Sequence, residues 1–214
     1  MTVFNDPAFD NHERVLFCRD EPSGLCAIIA IHSTALGPAA GGTRLWSYAS
    51  DDDALHDVLR LSQGMSYKNA MAGLKFGGGK AVIMRMPGFD GSDALFERFG
   101  EFVDTLHGDY ITAEDVGMSE EIMATIARKT RHVSGLPLQS GKAGGDPSPK
   151  TAYGICCGIQ SAVKAGLGRE DLDGVRVAVQ GVGNVGYELC KLLHAGGATL
   201  QVSDLDEIRV DRAC

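Results

Sequence analysis

One stretch leaves few folds open to this chain: VRVAVQGVGNVGYELCKLLHAGGATLQVSD, residues 175–204. Its opening run, 175–180, is rich in valine and reads as a strand. Gly181, Val182, Gly183, Asn184, Val185 and Gly186 then spell GxGxxG, an apolar-periodic helix follows, and a second strand over 199–204 closes on Asp204. Alone, GxGxxG is weak evidence; here both strands, the helix and the terminal acid accompany it. Each part has a physical task. Gly181 permits the tight turn, Gly183 lets the backbone approach a pyrophosphate, and Gly186 lets helix and strand pack closely. The helix N-terminus offers free N–H groups and partial positive charge to phosphates. Asp204 would accept hydrogen bonds from ribose hydroxyls and repel a 2'-phosphate, so the expected cofactor is NAD, not NADP.

Upstream, the pattern also alternates. Residues 24–34 form a continuous apolar run that reads as a buried strand, and 41–48 form a second strand entered through a glycine pair. Ser50 with Asp53 makes a capping box for a helix that buries Leu55, Val58, Leu59 and Met65 and runs toward Ala72. Residues 80–84 are another strand, and Leu95, Phe96, Phe99, Phe102, Val103 and Leu106 mark an amphipathic helix ended by Gly108. A strand over 109–115, a short helix over 119–127 and a strand near 132–134 complete the block, and the architecture is α/β. The Gly/Pro/Ser-rich stretch 135–149 reads as an interdomain hinge, with a helix from about Pro149. The expected organisation is an N-terminal α/β domain, 1–140, that holds the candidate substrate residues, followed by an incomplete doubly wound Rossmann domain, 141–214.

Composition narrows the partners. With 214 residues, 44% hydrophobic and 22% charged, the chain has globular composition and a formal net charge of −8, which argues against nucleic acid or anionic membrane as the main partner. No apolar run reaches the about 18 residues of a membrane span, and the N-terminus lacks the pattern of a secretory signal. Six cysteines are scattered without CxxC or zinc spacing, so no metal is expected and a reducing, cytoplasmic setting is. Cys156 and Cys157 face different directions on a helix and read as packing, as do Trp46 and Met65.

The segment GLKFGGGKAVI, 73–83, sets three glycines before Lys80. It is not a P-loop, because Leu74 stands where the first glycine belongs and Ala81 where the magnesium-binding hydroxyl belongs. Lys80 stands between a glycine-rich turn and an apolar strand. Desolvation would lower its pKa, a nearby Lys68 ammonium would lower it further, and a lysine tuned toward neutrality can act as a general base. The glycines would then allow close approach of a small substrate. Asp115, in YITAEDVG, is the third polar candidate. His107 and His132 receive no role.

Taken in order, GPAAGGTRLW, GMSYKNAMAGLKFGGGKAVI, YITAEDVG, GDPSPKTAYG and VAVQGVGNVG resemble the Glu/Leu/Phe/Val dehydrogenases, above all the leucine and valine dehydrogenase branch. The resemblance runs over nearly the whole chain. It implies reversible NAD-dependent oxidative deamination of a branched-chain L-amino acid to its 2-oxo acid and ammonia, by a homo-oligomer. On this resemblance Lys80 is the catalytic lysine that activates water, Asp115 the acid/base group at the amino nitrogen, and Lys68 the substrate-carboxylate ligand. Gly41 and Gly42 line the carboxylate end; Ala40, Ala113 and Ser134 line the side-chain pocket; Thr151 lies near the nicotinamide. Ala40 is smaller than the leucine common in leucine dehydrogenases, which leaves phenylalanine open as a substrate, and it is not the lysine a glutamate side chain would want. Met86 stands where the family has an acidic or small polar residue. The chain ends ten residues past Asp204, with two of the about six strands of a doubly wound domain. It therefore reads as a fragment of a longer product, the alternative being a short paralogue that acts through subunit association.

Overall fold

The computed structural model describes residues 3–136 and 145–214. The chain divides into two compact units, Met1–Gly145 and Asp146–Cys214. The expected boundary at 140/141, and most of the expected hinge, lie outside the described residues.

The first unit is built on a five-stranded mixed sheet. Its strands are β1 (Arg14–Asp20), β2 (Leu25–Ser33), β3 (Ala39–Trp46), β4 (Gly77–Met84) and β5 (Tyr110–Glu114), in the spatial order β1-β2-β4-β3-β5. β2 is antiparallel to both β1 and β4, whereas β3 is parallel to β4 and β5. Its helices are α1 (Asp51–Met71), α2 (Asp93–Asp104) and α3 (Glu120–Ile126). Every residue of β4 is buried, as expected of a central strand covered on both faces.

Side chains alternate across a strand, and the two faces hold separate cores. Ile28 and Ala30 of β2 and Val82 and Met84 of β4 pack with Ala54, Leu55, Val58 and Leu59 of α1. Ile29, Ile31, Ala81 and Ile83 face the other way, into a core with Phe96, Phe99 and Val103 of α2 and Met123 and Ile126 of α3. Helix α1 starts as its capping residues dictate: the Ser50 hydroxyl accepts the Asp53 N–H at 3.1 Å. The return contact differs from a capping box, since the Asp53 carboxylate accepts from the Ser50 hydroxyl.

Three expectations are corrected. The glycines before Lys80 are not a turn but the first half of β4. A Cβ on Gly78 would strike Ser66 of α1, and one on Gly79 would lie 2.7 Å from the Tyr110 ring, so these residues are small to admit the protein's own packing and not a substrate. Met65 is half-buried, outside the buried face of α1. β1 was not anticipated; it is an edge strand whose Phe17 is exposed and whose Cys18 is buried.

The second unit comprises α4 (Ser148–Leu167), β6 (Arg176–Gln180), α5 (Asn184–Ala195), β7 (Thr199–Ser203) and α6 (Glu207–Ala213). β6 and β7 pair in parallel from Arg176↔Thr199 to Gln180↔Ser203, with α5 as the crossover. One face packs Val179, Leu189, Cys190 and Leu193 with Ala152, Cys156 and Val163 of α4. The alternate residues Arg176, Ala178, Gln180, Thr199, Gln201 and Ser203 are exposed. Among the described residues no helix is long and apolar enough to cross a membrane.

Candidate functional site

Strand register decides which side chains meet. Ala40 and Arg44 of β3 lie beside Gly78 and Val82 of β4, so even-numbered positions on both strands share the α1 face. Ala40 pairs with Ile111 and Gly42 with Ala113 on the other side, which puts the odd positions of β5 on that same face. Ala40, Gly42, Arg44, Lys80, Ile111, Ala113 and Asp115 therefore converge. They line a cavity of about 640 Å³ that Leu61, Gly64, Met65 and Lys68 of α1 and Ser134 complete. All eight residues proposed for the substrate end from sequence, Ala40, Gly41, Gly42, Lys68, Lys80, Ala113, Asp115 and Ser134, line this one cavity.

Its polar centre is an ion pair. Lys80 is 5% exposed, and its Nζ lies 2.8 Å from Oδ2 of Asp115. The same oxygen lies 3.2 Å from Nε of Arg44. Burial lowers the Lys80 ammonium below the ordinary lysine value, opposed by the Asp115 carboxylate and assisted by Arg44. The depressing cation is thus Arg44, on the neighbouring strand, not Lys68, which is exposed on the last turn of α1. Burial alone would raise Asp115, but Lys80 and Arg44 reverse that and hold its carboxyl below the usual range.

Arg44 and Asp57 escaped sequence reasoning. Arg44 Nη1 lies 2.8 Å from Asp57 Oδ2 on α1, and the Tyr48 hydroxyl donates to that oxygen at 2.9 Å. The signal was available, since Arg44 stands two residues beyond Gly42 on the cavity face. Met65, read as packing alone, also lines the cavity. The surrounding backbone is fixed by buried bonds: the Tyr110 hydroxyl donates to the Gly41 carbonyl at 2.7 Å, the Thr43 and Thr112 hydroxyls meet at 2.6 Å, and Asn69 donates to the Gly77 carbonyl at 2.7 Å.

In the second unit the glycine loop has the features a dinucleotide requires. Gly181 has φ +89°, a Cβ on Gly186 would collide with the Gly181 carbonyl, and Gly183 caps α5 without a side-chain capping hydrogen bond, with Arg209 Nη1 3.7 Å from where its Cβ would be. Asn184 and Val185 open the first turn of α5. Val182 is buried, and its N–H donates to Asp204 Oδ2 at 2.8 Å, so it braces the loop and is not an open donor. Backbone N–H groups of Asp206 and Val182 hold the Asp204 carboxyl below its usual value. Asp204, Ser203 and Gly181 line a recess of about 370 Å³ beside the loop. These residues fit a dinucleotide. Thr151 lies apart from them in sequence, exposed in the first turn of α4.

A mixed α/β unit with a lysine–carboxylate cavity, followed by a glycine-loop βαβ unit, defines the class: a two-unit α/β protein with the start of a Rossmann domain. The sequence matches the family described as "Glu/Leu/Phe/Val dehydrogenase, dimerisation domain" over residues 12–132, and "Glutamate/Leucine/Phenylalanine/Valine dehydrogenase" over residues 146–208. The chain belongs to the Glu/Leu/Phe/Val dehydrogenase family, whose members depend on pyridine nucleotides. It is 53% identical over 213 residues to the leucine dehydrogenase of Geobacillus stearothermophilus, covering 100% of this chain and 58% of that protein. It is 46% identical over 197 residues to the phenylalanine dehydrogenase of Lysinibacillus sphaericus, covering 92% of this chain and 51% of that protein. The crystal structure of L-tryptophan dehydrogenase from Nostoc punctiforme superposes with a TM-score of 0.68 at 43% identity, over 94% of this chain and 56% of that one. The chain thus spans between half and two thirds of the relatives it matches.

Proposed function

We propose that this chain supplies the substrate site and the opening of the cofactor site of an NAD-dependent amino acid dehydrogenase. The reaction is reversible oxidative deamination of a branched-chain L-amino acid to its 2-oxo acid and ammonia. The observation that carries the reading is the buried Lys80–Asp115 pair, 2.8 Å apart, in a cavity that Lys68 also lines. Lys68 binds the substrate carboxylate, and Gly41 and Gly42 keep that end free of side chains. The substrate ammonium competes with Lys80 for Asp115. Deprived of its counter-ion and already lowered by burial, Lys80 gives up its proton and becomes the base that activates water. Asp115 moves protons at the amino nitrogen. Bound NAD would supply the hydride acceptor for the substrate Cα. Asp204 favours NAD by its charge, and Gly181, Gly183 and the first turn of α5 receive the phosphates. Thr151 is assigned to the nicotinamide end.

Ala40, Ala113 and Ser134 shape the side-chain pocket. A second reading, an aromatic side chain, is favoured by the small Ala40 on the wall of this cavity. The family description of residues 12–132 as a dimerisation domain supports a homo-oligomer. Six cysteines without a disulfide support a reducing, cytoplasmic setting.

The test is NADH formation with L-leucine, L-valine, L-phenylalanine and L-glutamate. It is run on this chain and on a chimera completed with the C-terminal part of the Geobacillus stearothermophilus enzyme. Turnover by the chimera on leucine or valine, abolished by Lys80→Ala, is expected. A folded chimera inert toward every amino acid refutes the reading.

A further inference from the structure

The cavity wall holds more charge than the proposed reaction uses. Arg44 projects from β3 onto the cavity face and bridges two carboxylates, Asp115 Oδ2 at 3.2 Å and Asp57 Oδ2 at 2.8 Å. Asp57 belongs to α1, and its side chain is 16% exposed. Two further groups hold it: the Tyr48 hydroxyl at 2.9 Å and Arg60 at 3.2 Å to Oδ1. A line of alternating charge, Lys80, Asp115, Arg44, Asp57, therefore runs from the buried floor of the cavity to the helix. Asp57 lies outside the cavity lining, and its carboxylate reaches Lys80 as a charge acting through space and along the Arg44–Asp115 contacts.

We propose that Arg44 and Asp57 are positioning residues which, by their own charge and by fixing Asp115, set the proton affinity of Lys80. Arg44 pins Asp115 by the oxygen that Lys80 also uses, which fixes the carboxylate between two cations. Its charge opposes a proton on Lys80, and the Asp57 carboxylate offsets part of that opposition. The other charged groups around Lys80 are Lys68 on α1 and Glu114 on β5, both on the same cavity. Asp57 lies outside the cavity, whereas Arg44 lines it.

The two partners carry opposite charge, so their removal has opposite effects, whereas loosening of the wall would expose Lys80 in both variants and raise its proton affinity alike. This inference rests on the amino acid dehydrogenase reading for its purpose, but its readout does not require turnover. The rate at which Lys80 is acetylated by a small anhydride is followed across pH, by peptide mass spectrometry, on the folded chain. Arg44→Met shifts the labelling midpoint up and Asp57→Asn shifts it down, each by about half to one unit, or about 3- to 10-fold in rate at a fixed pH below the midpoint. Asp57→Glu, which keeps the charge, returns the midpoint toward the parent and serves if Asp57→Asn does not fold. Shifts in the same direction, or no shift in folded variants, overturn the proposal. Normal shifts in a chain whose completed chimera is inert would sink the dehydrogenase reading alone.

Discussion

The glycine half of β4 makes a sharp stability prediction. An alanine at Gly78 would place its Cβ against the backbone and hydroxyl of Ser66 and 2.6 Å from the Ser62 carbonyl oxygen. Those contacts are mostly helix backbone, so α1 must move away from the sheet. Overpacking of this kind costs about 1–3 kcal/mol. Ser66 also meets His32 Nδ1 at 2.7 Å, and disturbing that bond adds about 1 kcal/mol. Gly64, on the same helix, is the control: a Cβ there meets nothing within 4 Å, and alanine gains about 0.5–1 kcal/mol of helix propensity. The chain's single tryptophan, Trp46, lies in the first unit, so its fluorescence reports melting of that unit. At about 2–4 °C per kcal/mol, Gly78→Ala should lower the midpoint by about 4–16 °C and Gly64→Ala should raise it by about 1–4 °C. If Gly78→Ala melts where the parent does, the packing account of the glycines is refuted.

Three further outcomes are expected. Asp115 is depressed in the folded state, so its contribution is full above the unfolded value of about 4 and is lost as pH falls through the folded value. Asp115→Asn should remove that acid limb and leave Lys80 beside Arg44 without a carboxylate, at a cost of about 3–5 kcal/mol that shrinks as rising pH neutralises Lys80; urea titration across pH reads both. Asp204→Ser should weaken NADH binding by about tenfold and narrow its preference over NADPH, measured by fluorescence titration; unchanged affinities would separate Asp204 from the cofactor. Ala40→Leu in the completed chimera should move kcat/KM toward leucine and away from phenylalanine by about 10- to 100-fold; no change would put the substrate side chain elsewhere in the cavity.

Much of this was legible in the chain. A continuous apolar run located β2, apolar periodicity located α1 and α2, and a valine-rich strand with the glycine motif located the βαβ unit. The cavity-lining residues could be named from the family resemblance, which short motifs on β3, α1, β4 and β5 carry. The glycines misled, since a strand that lacks side chains for packing reasons looks like a turn. β1 was missed because an edge strand of mixed polarity, RVLFCRD, carries a weak pattern. Arg44 and Asp57 were missed for another reason. Nothing in thirteen residues of separation says that a strand cation and a helix carboxylate will meet; only the packing of α1 across the sheet brings them to 2.8 Å.

The alternation along β3 and β4 also divides the labour of change. Even positions Ala40, Gly42, Arg44 and Lys80 line the cavity, even positions Val82 and Met84 pack against α1, and odd positions such as Ala39, Ala81 and Ile83 build the core shared with α2 and α3. Under the proposed function, a library that varies the cavity-lining residues Ala40, Ala113 and Ser134 would explore new substrates while the scaffold beneath stays as it is. Random change along the same strands would strike foundation and binding wall with equal frequency. The glycines of β4 belong to neither category: they are places where the molecule has no spare room, and selection for new activity should leave them untouched.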